Sequence, residues 1–380
     1  MGHDARWTQL AQAFAQPISG DCESLPIRTQ GDWLAYLYAA LQECGSAVCG
    51  QLRSSFRGLS SSHKEGETWR FGDLLATFEA LRQLSEEKIH SLPYERVGGQ
   101  WLRLYVDSTI GLVMTGTLSQ STEADLMRHI GALDQAIIVA GAVGREDEIQ
   151  EIIKQLQLRL CQDRRVESVV VSSSIPSKRK RRHSAEISGS SQTRNPIPTL
   201  DIPPSINKFL QTDRHKPFIL RRFVAQPDDI SNPYGMDWSA IQRWQSADYL
   251  LTTSGPGRMV PVEIGTSYTD VAWTQRIVPF SEFLDQIGYK TGRQTDPSVA
   301  LSVEDSAPMY LAQYSLFKQF PELEKDIILP DYVYSAPEAP ADYPSYQPPG
   351  NEEGVVVNVW VGGGEAKVTS PPHTVSLYSS

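Results

Sequence analysis

A chain of 380 residues that is 40% hydrophobic and 21% charged has room for two domains, each with its own core, and is too apolar to be disordered throughout. Its formal net charge of −10 excludes nucleic-acid binding through the general surface, although not through a local basic site. No apolar run approaches the ~18 residues of a membrane span, and residues Met1 to Arg6 carry no apolar signal core.

The four cysteines, Cys22, Cys44, Cys49 and Cys161, form no C-x-x-C pair and fit no zinc framework, so free thiols in a reducing compartment are expected. A soluble intracellular protein follows from these features, with no membrane partner.

The first part of the chain reads as helical. Over Asp32–Leu52, Leu34, Leu37, Leu41, Val48 and Leu52 keep a rough helical spacing, with Asp32 placed to cap. Trp69–Leu84 and Tyr94–Met114 continue the pattern. Over Ala124–Ala142, Leu126, Ile130, Leu133, Ile137 and Ala140 share a face, and Thr122 precedes it as a cap with Glu123 and Asp125 in the first turn. Over Arg145–Cys161, Ile149, Ile152, Ile153, Leu156 and Leu160 form another stripe. Such stripes are the buried faces of packed helices, so residues 1–165 are expected to form an all-α domain.

Residues 166–205 are rich in Ser, Pro and charge and read as a disordered basic linker. Within it, Lys178, Arg179, Lys180, Arg181 and Arg182 run consecutively. A compact basic run with flexible flanks in an acidic chain points to nuclear import, with the cytoplasm as a second compartment; direct nucleic-acid binding is not expected.

From about residue 206 the pattern turns toward strands. Phe218–Val224, Met259–Ile264 and Val355–Val361 are rich in branched and aromatic residues. Trp238–Leu251 and Pro279–Ile287 look helical, while Gly288–Pro308 and the proline-rich Tyr334–Gly354 read as irregular.

Several segments of this region occur in an order that is informative. They are Lys216-Pro217-Phe218-Ile219-Leu220; Asp237-Trp238-Ser239-Ala240-Ile241-Gln242-Arg243-Trp244; Val260-Pro261-Val262-Glu263-Ile264-Gly265 with Tyr268-Thr269-Asp270 and Trp273; and Tyr310-Leu311-Ala312-Gln313 with Leu316-Phe317. Pro321-Glu322-Leu323, Pro330-Asp331-Tyr332, then Asn358, Trp360, Gly362, Ser370-Pro371 and His373 complete the series. In this order the segments resemble the JmjC-domain family of Fe(II)- and 2-oxoglutarate-dependent oxygenases, and within it the lysine-specific demethylase eight branch.

The resemblance implies a fold class of α+β: an N-terminal all-α domain followed over residues 206–380 by a double-stranded β-helix of the cupin or jelly-roll type. It implies Fe(II) and 2-oxoglutarate as cofactors, held in the barrel mouth by two histidines and a carboxylate that leave three coordination positions open. A protein side chain, on a histone or another protein, is the implied substrate, and hydroxylation or demethylation the implied reaction. By the same resemblance His373 matches the first iron ligand, and Tyr310 and Ser370 match residues that bind the distal carboxylate of 2-oxoglutarate. Asn358 and Trp360 match the cofactor-side wall of the pocket, and Glu263 and Gln313 its substrate side.

The pattern also departs from the family. Two residues after His373, where a carboxylate ligand is expected, stands Val375, which has no metal-binding atom. The second iron-binding histidine and a cosubstrate-binding lysine are expected beyond position 380. The expectation is therefore an incomplete barrel, truncated after the first iron-ligand strand, with no complete catalytic set and no activity in this chain. The alternative expectation is a non-catalytic nuclear interaction protein acting through its helical domain.

Overall fold

The computed structural model describes residues 41, 43–61, 71–93, 96–119, 121–167, 197–213, 217–225, 233–265, 273–289, 308–335, 344–345, 355 and 357–363. The chain divides into two compact units. The first comprises residues 1–172 with 255–261 and 277–280; the second comprises 173–254, 262–276 and 281–380.

Among the described residues, the first unit contains five long helices: α1 (Ser46–Ser61), α2 (Phe71–His90), α3 (Gly99–Leu118), α4 (Glu123–Ala140) and α5 (Glu146–Glu167). The first helix differs from expectation. The sequence suggested one helix over Asp32–Leu52, but Gly45 adopts φ 96°, a left-handed conformation, and α1 begins only at Ser46; Asp32, Leu34 and Leu37 lie outside the described residues. Leu126, Ile130, Leu133 and Ile137 of α4, and Ile149, Ile152, Ile153, Leu156 and Leu160 of α5, are all buried, as their stripes require. Thr122 and Asp125 form a reciprocal capping box at the start of α4, and Gly141 closes it with φ 64°.

Helix α3 is the central helix, buried without a break from Arg103 to Gly111. Its hydroxyls do not oppose this, because Ser108, Thr109, Thr115 and Thr117 each donate to the carbonyl four residues back. Gly111 is needed where the Phe78 ring packs: a Cβ there would lie 2.2 Å from the ring. Phe78 in turn meets Phe56 edge-on, with centroids 5.0 Å apart.

Two carboxylates are sealed into this unit. Asp107 accepts from Arg103 Nε at 2.8 Å and Arg145 Nε at 3.0 Å. Asp134 accepts from Arg258 Nε and Nη2, at 2.8 to 3.1 Å, and from the backbone N–H of Met259 at 2.7 Å.

Among the described residues the strands are β1 (Thr199–Leu200), β2 (Ile219–Leu220), β3 (Val224–Ala225), β4 (Met236–Asp237), β5 (Met259–Ile264), β6 (Thr274–Pro279), β7 (Met309–Tyr314) and β8 (Val359–Gly362). β1 pairs with β2 and β3 with β4, both in parallel, and the rest form a sheet in the order β6-β5-β7-β8. The expected strand Phe218–Val224 is split, because Arg222 adopts φ 50° and turns the chain between β2 and β3. β5 lies where the sequence placed it, and Phe280–Gln286 (α7) falls inside its expected helix, whereas the expected helix Trp238–Leu251 is broken into a short turn at Ala240–Arg243 and a helix Ala247–Ser254 (α6) that runs three residues past Leu251.

The architecture is α+β. Among the described residues the strands make one four-stranded sheet and two short pairs, and a closed jelly roll is not among them.

The second unit is held by a polar hub and an aromatic cluster. Asp326, 1% exposed, accepts from Ser239 Oγ, Arg243 Nη1, Trp244 Nε1 and Tyr249 OH. Phe209 packs on Tyr332 with centroids 4.7 Å apart and on Phe218 at 6.2 Å. Among the described residues no helix is long and apolar enough to cross a membrane.

Candidate functional site

Strands β5, β7 and β8 bring several of the expected site residues together. β5 and β7 are antiparallel with Glu263 opposite Tyr310, and β7 and β8 are antiparallel with Tyr310 opposite Gly362. Directly opposed residues share a face, and side chains two apart along a strand return to it. Glu263, Tyr310, Gly362 and Trp360 therefore lie on one face of the sheet. The other face carries Val260, Val262, Met309 and Leu311, all buried.

The row has a packing logic. A Cβ at Gly362 would lie 2.7 Å from Tyr310 Cδ2, so only glycine lets the tyrosine ring lie across β8. Burial, and then the negative charge of Glu263, push the Tyr310 phenol above its ordinary pKa. It therefore stays protonated at neutral pH and can donate to an anionic oxygen. Trp360 is 54% exposed, so it is not the core residue that a strand tryptophan usually is.

Past Leu311 the β7–β8 register shifts, and Gln313 takes φ 45° at this irregularity. Gln313 is exposed. Asn358 stands just before β8, where its Oδ1 accepts from Ser315 Oγ at 3.1 Å. Nothing in the sequence marks Ser315 as an Asn358 partner: it stands at the N-cap of the turn Leu316–Gln319, yet its side chain makes no capping bond.

Other expectations fall outside the described residues: Ser370, His373 and the basic run Lys178, Arg179, Lys180, Arg181 and Arg182. Among the described residues, no group of three His, Cys, Asp or Glu side chains is placed to hold a metal ion. The donor set for iron is thus not found among the described residues. Cys44, Cys49 and Cys161 are free thiols. Burial first, and then the nearby Cys49 and Glu43, push the Cys44 thiol up to about 12, so it is no candidate nucleophile.

An antiparallel sheet carrying a carboxylate, a phenol and an exposed tryptophan on one face, reached by an ordered series of segments of JmjC type, defines the class to which known proteins can be compared. No family model matches the chain. Curated relatives do. The chain is 27% identical over 299 residues to lysine-specific demethylase 8 of Danio rerio, covering 76% of this chain and 62% of that protein. It is 26% identical over 326 residues to lysine-specific demethylase 8 of Xenopus tropicalis, covering 78% and 66%. Over 137 residues it is 36% identical to Jumonji C domain-containing protein 5 of Drosophila melanogaster, covering 36% and 29%. The chain is thus related to JmjC-domain proteins of the lysine-specific demethylase 8 type, at modest identity over most of its length. It spans less than two thirds of the length of these relatives.

Proposed function

We propose that this chain is part of a JmjC-type oxygenase that uses Fe(II) and 2-oxoglutarate to oxidise a protein side chain, and that residues 206–380 contribute part of a double-stranded β-helix. The observation that carries the reading is the cross-strand row Glu263–Tyr310–Gly362 with Trp360 on the same face. In this reading Tyr310, kept protonated, donates to the distal carboxylate of 2-oxoglutarate together with Ser370, and Asn358 and Trp360 wall the cofactor side. Glu263 offers a negative charge to a cationic side chain such as lysine or arginine, with Gln313 adding a polar contact.

Iron does not fit the residues at hand. His373 matches one ligand by the resemblance, and Val375, two residues on, offers no donor atom where a carboxylate is required. The proposal is that it holds the anionic cosubstrate weakly and does not turn it over. Its substrate would be a histone or another protein, and its compartment the nucleus, on the strength of the relatives' name and the basic run.

The reading is tested by ligand-observed NMR of 2-oxoglutarate with the full chain, and by succinate release in the presence of Fe(II) and methyl-lysine or arginine peptides. Saturation transfer that drops in Tyr310→Phe, without succinate release, is expected. Equal transfer in both proteins would remove Tyr310 from the site, and succinate release above background would overturn the proposed inactivity.

A further inference from the structure

We propose that Asp134, deep in the helical unit, is a positioning residue that fixes the register of β5, the strand that carries Glu263. The side chain of Asp134 is fully buried on α4. It takes both N–H groups of one edge of the Arg258 guanidinium and also the backbone N–H of Met259, the first residue of β5. Ile130, one turn earlier on α4, is so close to Gly257 that a Cβ there would lie 3.1 Å from its own Cβ, and Gly257 has φ 80°. A Cβ on Gly131 would meet Met259 Cγ at 3.3 Å. The Arg258 carbonyl accepts from the N–H of Phe280, the residue after β6. One face of α4 thus grips three consecutive residues, Gly257, Arg258 and Met259, by shape, charge and a backbone hydrogen bond.

Burying an ion pair is an expensive way to gain stability, since well-packed apolar residues commonly do as well. What the pair adds is direction. A bidentate fork and a backbone N–H on the same carboxylate admit one placement of residues 258 and 259. A slip of one residue would turn every β5 side chain to the opposite face. Val262 would then stand beside Tyr310, and Glu263 would enter the apolar face. With the clamp in place Val260 and Val262 are buried, at 0% and 2% exposure, and Glu263 opposes Tyr310. The consequence for catalysis rests on the function proposed above; the consequence for register does not.

The test is hydrogen–deuterium exchange on the full chain, read in peptides covering 259–264 and 309–314 against those of α2 and α3, with no ligand present. Asp134→Asn is expected to raise exchange in the two strands about tenfold or more while the helices keep their protection. Phe56→Leu, a core change in α1, is expected to loosen the helices instead. Unchanged strand exchange in Asp134→Asn, or the same strand loosening in both variants, overturns the proposal. If Asp134→Asn loses its helical circular dichroism, Arg258→Lys replaces it. That variant keeps the charge and removes the fork, and exchange in β5 as slow as in the parent protein would overturn the proposal. A failure to bind 2-oxoglutarate would count against the proposed function and leave this result untouched.

Discussion

Removing the Asp326 carboxylate is expected to be among the most damaging single changes in the second unit. Its side chain is 0% exposed and accepts four hydrogen bonds. Oδ1 takes Ser239 Oγ and Arg243 Nη1, each at 2.8 Å, and Oδ2 takes Trp244 Nε1 at 2.9 Å and Tyr249 OH at 2.7 Å. In Asp326→Ala the Arg243 guanidinium, 54% exposed, turns to water at little cost. The half-buried Trp244 and Tyr249 donors cannot turn out so freely, and each orphaned donor costs about 1–3 kcal/mol. With the cavity added, the expected loss is about 3–5 kcal/mol, a large part of the ~5–15 kcal/mol that holds a typical domain.

The assay is urea unfolding followed by tryptophan fluorescence, with Trp244→Phe and Tyr249→Phe as single-donor controls, each expected to cost about 1 kcal/mol. Acid adds a second signature. Burial tends to raise the Asp326 pKa, but the hydrogen bonds from Tyr249, Ser239, Trp244 and Arg243 outweigh it and hold the group below its ordinary value. The stability it contributes is therefore present above the unfolded pKa of about 3.9 and is lost as pH falls through the lower folded value. Asp326→Asn should lack that loss. A cost below about 1 kcal/mol for Asp326→Ala, against the range expected for orphaned buried donors, would refute the hub.

Three further outcomes are expected. Asp107→Ala should cost about 3–5 kcal/mol in the helical unit, because it strands the Arg103 and Arg145 side chains, at 0% and 3% exposure, without their shared carboxylate; thermal denaturation by circular dichroism measures it, and a shift no larger than that of an exposed Asp→Ala control argues against the cluster. Burial, aided by Arg128 and Arg159 and opposed by Asp125, lowers the pKa of His129, whose Nδ1 lies 3.3 Å from Thr117 Oγ1. The unfolded chain then binds the proton more readily, so stability falls as pH drops from about 6.5 through the folded value and levels off below it; His129→Gln should flatten the urea midpoint between pH 7.5 and 5, and an unchanged slope would assign the effect elsewhere. Finally, alanines at Lys178, Arg179, Lys180, Arg181 and Arg182 should shift a fluorescent fusion of the chain from nucleus to cytoplasm, and an unaltered distribution would remove the import role.

Sequence alone determined the buried faces of α4 and α5, because their stripes record which side of each helix is buried, and burial on a helix is a local, periodic property. It also determined β5, whose branched residues and length are those of a strand. It did not determine where a helix breaks when one glycine goes left-handed, as at Gly45, nor that Arg222 would split the strand after Leu220. β6 and β7 escaped a strand reading; β6 is largely exposed, and the buried residues of β7 face neighbours distant in the chain.

The site was legible only as residue types in order. That Glu263, Tyr310 and Gly362 stand in one row was decided by pairing between strands 47 and 52 residues apart, and the glycine's purpose appears only with the ring against it. Asp134 and Arg258 are 124 positions apart, and nothing around either one points to the other. Periodicity records that a side chain faces inward. Which partner it meets is written in the complementarity of two distant surfaces, and only the folded chain brings those surfaces together.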